Sequence, residues 1–164
     1  MNPEGLIVKR LLKELENTQR VALGPGIPAL VRPYAPQEIE IWSLENGSIS
    51  GHVDLAIVEA SEISDAGDLS LPPNLPAQNI EAGKWVVATH HTREDGEPKI
   101  VRDCRLPVSC PRCVNTIITE LGVIEVTDAG LVLKEVAPGV ATDDVKKKTA
   151  ASLHIADDIK LMEL

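Results

Sequence analysis

The sequence predicts an α/β domain built on a mixed β-sheet, and three observations carry that expectation. Helical and strand-like patterns alternate in the first third of the chain, then strands and hairpins dominate. The 164 residues are 43% hydrophobic and 25% charged, which suits one globular domain spanning residues 1–164 and excludes both a disordered chain and a stretch long enough to cross a bilayer. The core must also be aliphatic. There is no Phe, and Tyr34, Trp42 and Trp85 are the only aromatic side chains.

The elements follow in order. Residues 4–17 place Leu6, Val8, Leu11, Leu12 and Leu15 at helical spacing, with Lys and Glu opposite. Val21-Ala22-Leu23 is a short strand running into Gly24-Pro25-Gly26-Ile27-Pro28, after which Pro28 can open a helix that Pro33 and Pro36 keep short. Residues 38–43 alternate polar and apolar as a strand does, and Asn46-Gly47 marks a turn. Residues 53–59 and 85–89 read as buried strands, and residues 72–83, with three prolines, as loop. Residues 104–113 form a loop bearing all three cysteines, and residues 115–120 a helical turn. Residues 123–126 and 131–135 flank Thr127-Asp128-Ala129-Gly130 as a hairpin. Residues 141–149 follow the Pro138-Gly139 break as a helix with Thr142 at its N-cap. Lys146-Lys147-Lys148 then closes that helix, where cations favour the dipole.

Charge excludes further classes. A net charge of −9 with no large basic cluster argues against a phosphate-backbone binder, and so does the scarcity of aromatic stacking surface. Neither nucleic acid nor a membrane is an expected partner. An odd number of cysteines and a first segment interrupted by Lys9, Arg10, Lys13 and Glu14 point to a reducing, cytoplasmic setting.

Three constellations can carry chemistry. The Gly24–Gly26 loop, between a strand and a helix, can bring backbone amides to an anion, and its bland alternative is a plain turn. Glu45 stands at the end of a strand, where α/β sheets bind ligands, and could act as a nucleophile or base; the alternative is an exposed turn residue. Cys104, Cys110 and Cys113, with CPRC inside, could serve a metal or redox site together with His90-His91, but the spacing fits no standard zinc pattern and loop thiols are the plainer reading.

Several segments together resemble the B subunits of family I coenzyme A transferases of the 3-oxoacid (succinyl-CoA:acetoacetate) type. They are LGPGIPALV, ENG at a strand end, HVDLAIV, HHTREDGEPKIVRDCRLPV and ITELGVIEVTDAGLVLKEVAPGVATDDVKKKT. The resemblance implies a three-layer α/β fold with an open sheet. It implies a transferase that moves CoA between a short acyl-CoA and a carboxylate, with Glu45 as nucleophile and a glutamyl-CoA thioester as intermediate. Gly24, Gly26, Asn46 and Gly47 would bind substrate. No cofactor or metal is implied, coenzyme A being a substrate, and the partner would be an A-type subunit, or the chain would self-associate as an oligomer. The chain is shorter than the family pattern after Gly47 and between Leu71 and Trp85, and Leu44 stands where the family usually has Ser. The shortening opens a second reading, a catalytically degenerate subunit that binds a partner or CoA.

Overall fold

A computed structural model describes residues 2–44, 50–73, 75 and 79–164. The chain opens with α1 (Pro3–Glu14), whose first turn is held by the Asn2 side chain accepting the Gly5 N–H at 2.6 Å. Ile7, Val8 and Leu11 form its buried stripe, Leu15 at the C-cap is buried beside them, and Asn17 at φ +64° turns the chain away. Strand β1 (Arg20–Leu23) leads into Gly26, at φ +83°, and a 3-10 helix over Ile27–Tyr34. Proline explains that helix. Pro28 suits its first turn, while Pro33, inside the helix, lacks the N–H that an α-helical bond would need. The element therefore runs past Pro33 as a 3-10 helix instead of stopping there.

Strands β2 (Glu40–Ser43), β3 (Ser50–Val58), β4 (Glu62–Ser64), β5 (Leu69–Ser70), β6 (Asn79–Ala88), β7 (Ile100–Val101), β8 (Thr116–Ile118), β9 (Gly122–Thr127) and β10 (Gly130–Val136) follow, then α2 (Thr142–Lys147) and β11 (Leu153–Leu161). The large sheet has the order β11-β10-β9-β8-β6-β3-β1-β2, and β5-β4-β7 form a small second sheet. In the large sheet β9 alone runs against its neighbours β8 and β10, and every other pairing is parallel. The mixed sheet predicted from the sequence is present.

Alternation along the strands feeds two cores. Val21, Leu23, Leu55, Ile57, Val86, Ala88 and Ile118 point to one face, against Ile7 and Leu11 of α1 and Ile27 and Val31 of the 3-10 helix. Ala22, Ala56, Val58, Val87, Ile117 and Ile124 point to the other, against Ile63, Leu69 and Ile100 of the small sheet and Val145 of α2. Helices, sheet and the cover of small sheet plus α2 are thus three layers. Outside the apolar contacts, Arg10 of α1 makes a two-pronged pair with Glu135 of β10, at 2.9 and 2.7 Å, and Lys84 of β6 reaches Glu14 at 3.0 Å.

Three local expectations need correction, and one strand is additional. Residues 115–120 are not a helical turn but contain β8, because three consecutive β-branched residues, Thr116, Ile117 and Ile118, are buried between β6 and β9. Strand β6 begins at Asn79, inside the stretch read as loop. Thr142 is the first residue of α2, and Ala141 holds the N-cap position without a side-chain cap bond. Strand β11 has no counterpart in the sequence reading. It lies parallel beside β10, joined to it through α2.

Candidate functional site

The parallel strands β1, β2, β3, β6 and β8 all end on one edge of the large sheet, where a doubly wound α/β sheet gathers its ligands. Five loops converge there. β1 delivers Gly24–Gly26, β2 delivers Leu44, β3 delivers Glu59, β6 delivers Thr89, His90 and His91, and β8 delivers Thr119 and Glu120. The opposite edge is closed by structural pairs. Asp54 accepts the Gln19 and Arg20 amides at 2.8 and 3.0 Å, and Arg20 bonds Glu40 at 2.7 Å while lying 4.9 Å over the Trp42 ring.

Glu45, Asn46 and Gly47 lie outside the described residues. What precedes them is fixed. Leu44 is buried and donates its N–H to Leu23 O at 2.9 Å, so the chain leaves β2 directly beside the glycine loop. Within that loop the two glycines differ. The Gly24 N–H continues the β1–β3 ladder, donating to Ile57 O at 2.9 Å, and is spent. Pro25 has no N–H. The Gly26 N–H donates to no described residue, so it is the loop amide open to an oxygen of a ligand. Glycine suits this position because φ is +83°, a conformation L side chains rarely adopt, and the Glu59 carboxylate lies against it.

The sequence pattern carries Glu59 as the last residue of a buried strand. The structure ends β3 at Val58 and sets Glu59 on the edge, against Gly26. Lys99 lies close by, half-buried, and donates to Thr89 Oγ1 at 2.7 Å. Burial lowers its pKa below the usual lysine value, against the opposing pull of Glu59 and Glu120. Arg93 lines the same cleft, bonding Ser61 O and pairing with Glu62, each at 3.4 Å. Sequence reasoning missed both Glu59 and Lys99; their one signal is position, each flanking an apolar run.

His91, delivered to this edge by β6, is engaged inside the fold, and the three cysteines lie between β7 and β8. His91 is buried, with Nδ1 2.9 Å from Thr119 Oγ1 and Nε2 2.8 Å from Thr149 Oγ1. Since the Thr149 hydroxyl donates to Val145 O at 2.7 Å, it accepts from His91, which assigns the proton to Nε2. Burial pushes this imidazole down to about 4. Cys104 sits 3.7 Å from Asp68 O, Cys113 sits 3.4 Å from Cys110 O, and burial raises both the Cys104 and Cys113 thiols above the usual range. Among the described residues no group of three or more His, Cys, Asp or Glu side chains is arranged to hold a metal ion, and no helix is long and apolar enough to cross a membrane.

No family model matches the chain. Individual relatives do. The beta subunit of the Haemophilus influenzae acetate CoA-transferase is 27% identical over 216 aligned positions, covering 100% of this chain and 97% of the relative. The B-type subunit of the Helicobacter pylori succinyl-CoA:3-ketoacid coenzyme A transferase is 28% identical, covering 91% of this chain and 97% of that protein. The mitochondrial succinyl-CoA:3-ketoacid coenzyme A transferase 2B of Mus musculus is 32% identical over 96% of this chain, which spans 41% of the mouse protein. Among solved structures, the acyl-CoA transferase YdiF of Escherichia coli O157:H7 superposes with a TM-score of 0.79 at 18% identity, over 99% of this chain and 43% of its own. The C56A variant of the decarboxylase AibA/AibB superposes at 0.73 and 14% identity, over 99% and 90%.

The fold is thus the α/β fold of the CoA-transferases. Within that class the sequence places the chain with the B, or beta, subunits, over its full length. The alignment of 216 positions exceeds the 164 residues of the chain, so this chain is a shortened relative of those subunits.

Proposed function

We propose that the chain is the B-type subunit of a coenzyme A transferase of the 3-oxoacid type, working with an A-type subunit and using Glu45 as nucleophile. One observation supports this above the others. Buried Leu44, bonded to Leu23 O, ends the described part of this segment beside a loop whose Gly26 N–H donates to no described residue.

The steps balance without a cofactor. The Glu45 carboxylate attacks the thioester carbonyl of an acyl-CoA, and the C–S bond breaks to release CoA thiolate and leave an acyl–glutamyl anhydride. The thiolate attacks the glutamyl carbonyl, expelling the acyl group as its carboxylate and leaving a glutamyl-CoA thioester. The acceptor carboxylate then attacks that thioester, and the returning thiolate takes the new acyl group. The Gly26 N–H is the donor aimed at the negative oxygen of each tetrahedral intermediate. The neighbouring Glu59 carboxylate opposes charge there, which makes Lys99 the cation that offsets it.

The chain is mixed with an A-type subunit and an acyl-CoA, then treated with borohydride, which reduces a glutamyl thioester to the alcohol. The expected result is a peptide modified at Glu45, and none in Glu45→Gln. A folded complex that binds acyl-CoA yet never modifies Glu45 overturns the transfer reading. It would favour the alternative of a degenerate partner- or CoA-binding subunit, which the shortening of the chain supports.

A further inference from the structure

The CPRC segment carries chemistry that the transfer reading does not use. Pro111 and Arg112 form a turn between Cys110 and Cys113, and Arg112 holds φ +49°, a left-handed conformation uncommon for a residue with a side chain. Proline followed by a left-handed residue is the pattern of a tight turn whose first and fourth Cα atoms lie within about 7 Å. A disulfide spans about 4.4–6.8 Å between Cα atoms, so a turn of this kind is narrow enough to carry one. The turn is also clamped from outside. The Cys110 N–H donates to Leu69 O at 3.1 Å, and the Cys110 C=O accepts the Leu69 N–H at 2.9 Å. The Arg112 N–H donates to Asp68 Oδ1 at 2.9 Å, and the Val114 N–H to Gly67 O at 3.1 Å. Asp68 is itself tied by its N–H to Ser64 Oγ at 3.1 Å.

Within that frame the two side chains meet. Cys113 Sγ lies 3.4 Å from Cys110 O, and the Cys113 thiol is held above the usual range first by burial and then by the adjoining Cys110 thiol. The two sulfurs are therefore neighbours, and Cys113 keeps its proton. Both residues are half-buried, so their sulfurs are not sealed inside the core. Cys104 is engaged elsewhere, donating to Asp68 O at 3.7 Å and bonded to the Ser70 hydroxyl.

We propose that Cys110 and Cys113 form a reversible dithiol–disulfide pair, closed in the folded chain by a low-molecular-weight disulfide, while Cys104 stays reduced. The Cys110 thiolate attacks one sulfur of the small disulfide, whose S–S bond breaks and releases one thiolate. Cys113 then gives up its proton, and its sulfur attacks the Cys110 sulfur of the mixed disulfide and expels the second small thiolate. Two protein thiols are oxidised, the small disulfide is reduced to two thiols, and the two protein protons go with them. Proximity drives the second step, since a buried thiol offers little thiolate of its own. Closure fixes the end of the cysteine loop that pairs with β5.

The folded chain is incubated with glutathione disulfide, its remaining thiols are blocked with iodoacetamide, and it is digested with trypsin, which cuts after Arg105, Arg112 and Lys134. Peptides 106–112 and 113–134 are expected to be joined through a disulfide that dithiothreitol releases, with Cys104 alkylated. Circular dichroism before digestion is expected to match that of the reduced chain. Cys113→Ser is expected to stop at a glutathione adduct on Cys110, and Cys104→Ser to leave closure unchanged. No link, a link that includes Cys104, a glutathione adduct that persists on the unaltered chain, or closure in urea alone overturns the pair. The peptide map of the unaltered chain decides the matter even where a variant does not fold.

Discussion

At the residue scale, two buried polar groups show how satisfaction replaces exposure. His91 has a hydroxyl on each ring nitrogen and stays neutral in the fold. Its folded pKa of about 4 lies below the ordinary value of 6.5, so between those limits the unfolded chain binds a proton that the folded chain does not. Stability is then fully present above pH 6.5 and falls as the pH drops toward 4, by up to about 3 kcal/mol from this group. Urea unfolding at pH 7.0 and pH 4.5 should show that loss, and His91→Gln should flatten it. Glu62 is the acidic counterpart. Burial raises the pKa of its carboxyl, but the Leu106 and Arg105 amides and the Arg105 guanidinium outweigh burial and hold it below the usual carboxylate range. The stability it contributes is present above its ordinary pKa and is lost in stronger acid.

At the element scale, close backbone approach decides what the hairpin of β9 and β10 tolerates. Gly122 faces the Glu135 carbonyl so closely that an added Cβ would overlap it, at the point where the register of β10 shifts. Backbone cannot swing aside as a side chain can. Gly122→Ala is therefore expected to cost about 2–3 kcal/mol, read as a lower denaturation midpoint with an unchanged slope. The same element shows what the sequence could disclose. The hairpin is legible because two apolar runs flank a turn ending in Gly130. The core strands β3 and β6 are legible because their C-terminal halves, residues 55–58 and 86–88, are aliphatic runs. β8 was hidden by its brevity, with three strand residues inside a stretch that also suits a helical turn. β11 was hidden by exposure, since Asp157, Asp158 and Lys160 break its apolar period on an edge strand that one neighbour alone pairs. For the candidate site, Glu45 stands out through its motif, and the glycine loop through its composition. That the Gly24 amide is spent while the Gly26 amide is open depends on the β1–β3 register, and the apposition of Glu59 to Gly26 joins residues thirty-three positions apart, so neither is written in any local pattern.

At the scale of the whole molecule, the two faces of the sheet divide the labour. One is covered by α1 and the 3-10 helix, the other by the small sheet and α2. The chain is shorter than the alignment to its relatives, yet 99% of it superposes on the acyl-CoA transferase YdiF at a TM-score of 0.79. The transfer test above asks whether the shortened chain still positions a substrate at its carboxyl edge.

The strand order has a consequence for how the chain reaches this state. Among the described strands of the large sheet, five of the seven neighbouring pairs are parallel, and each needs a crossover before its first hydrogen bond can form. The meander β8-β9-β10 alone closes over short loops. Refolding should start there and proceed outward, with β1 and β2 added late, and should be slow for a chain of this size. In stopped-flow refolding, Ile124→Ala is expected to slow folding, while Val21→Ala, equally buried, mainly speeds unfolding. The reverse assignment would place the nucleus at the glycine-loop end. With β1 and β2 last, the edge that carries the proposed chemistry is also the last part of the sheet to be assembled.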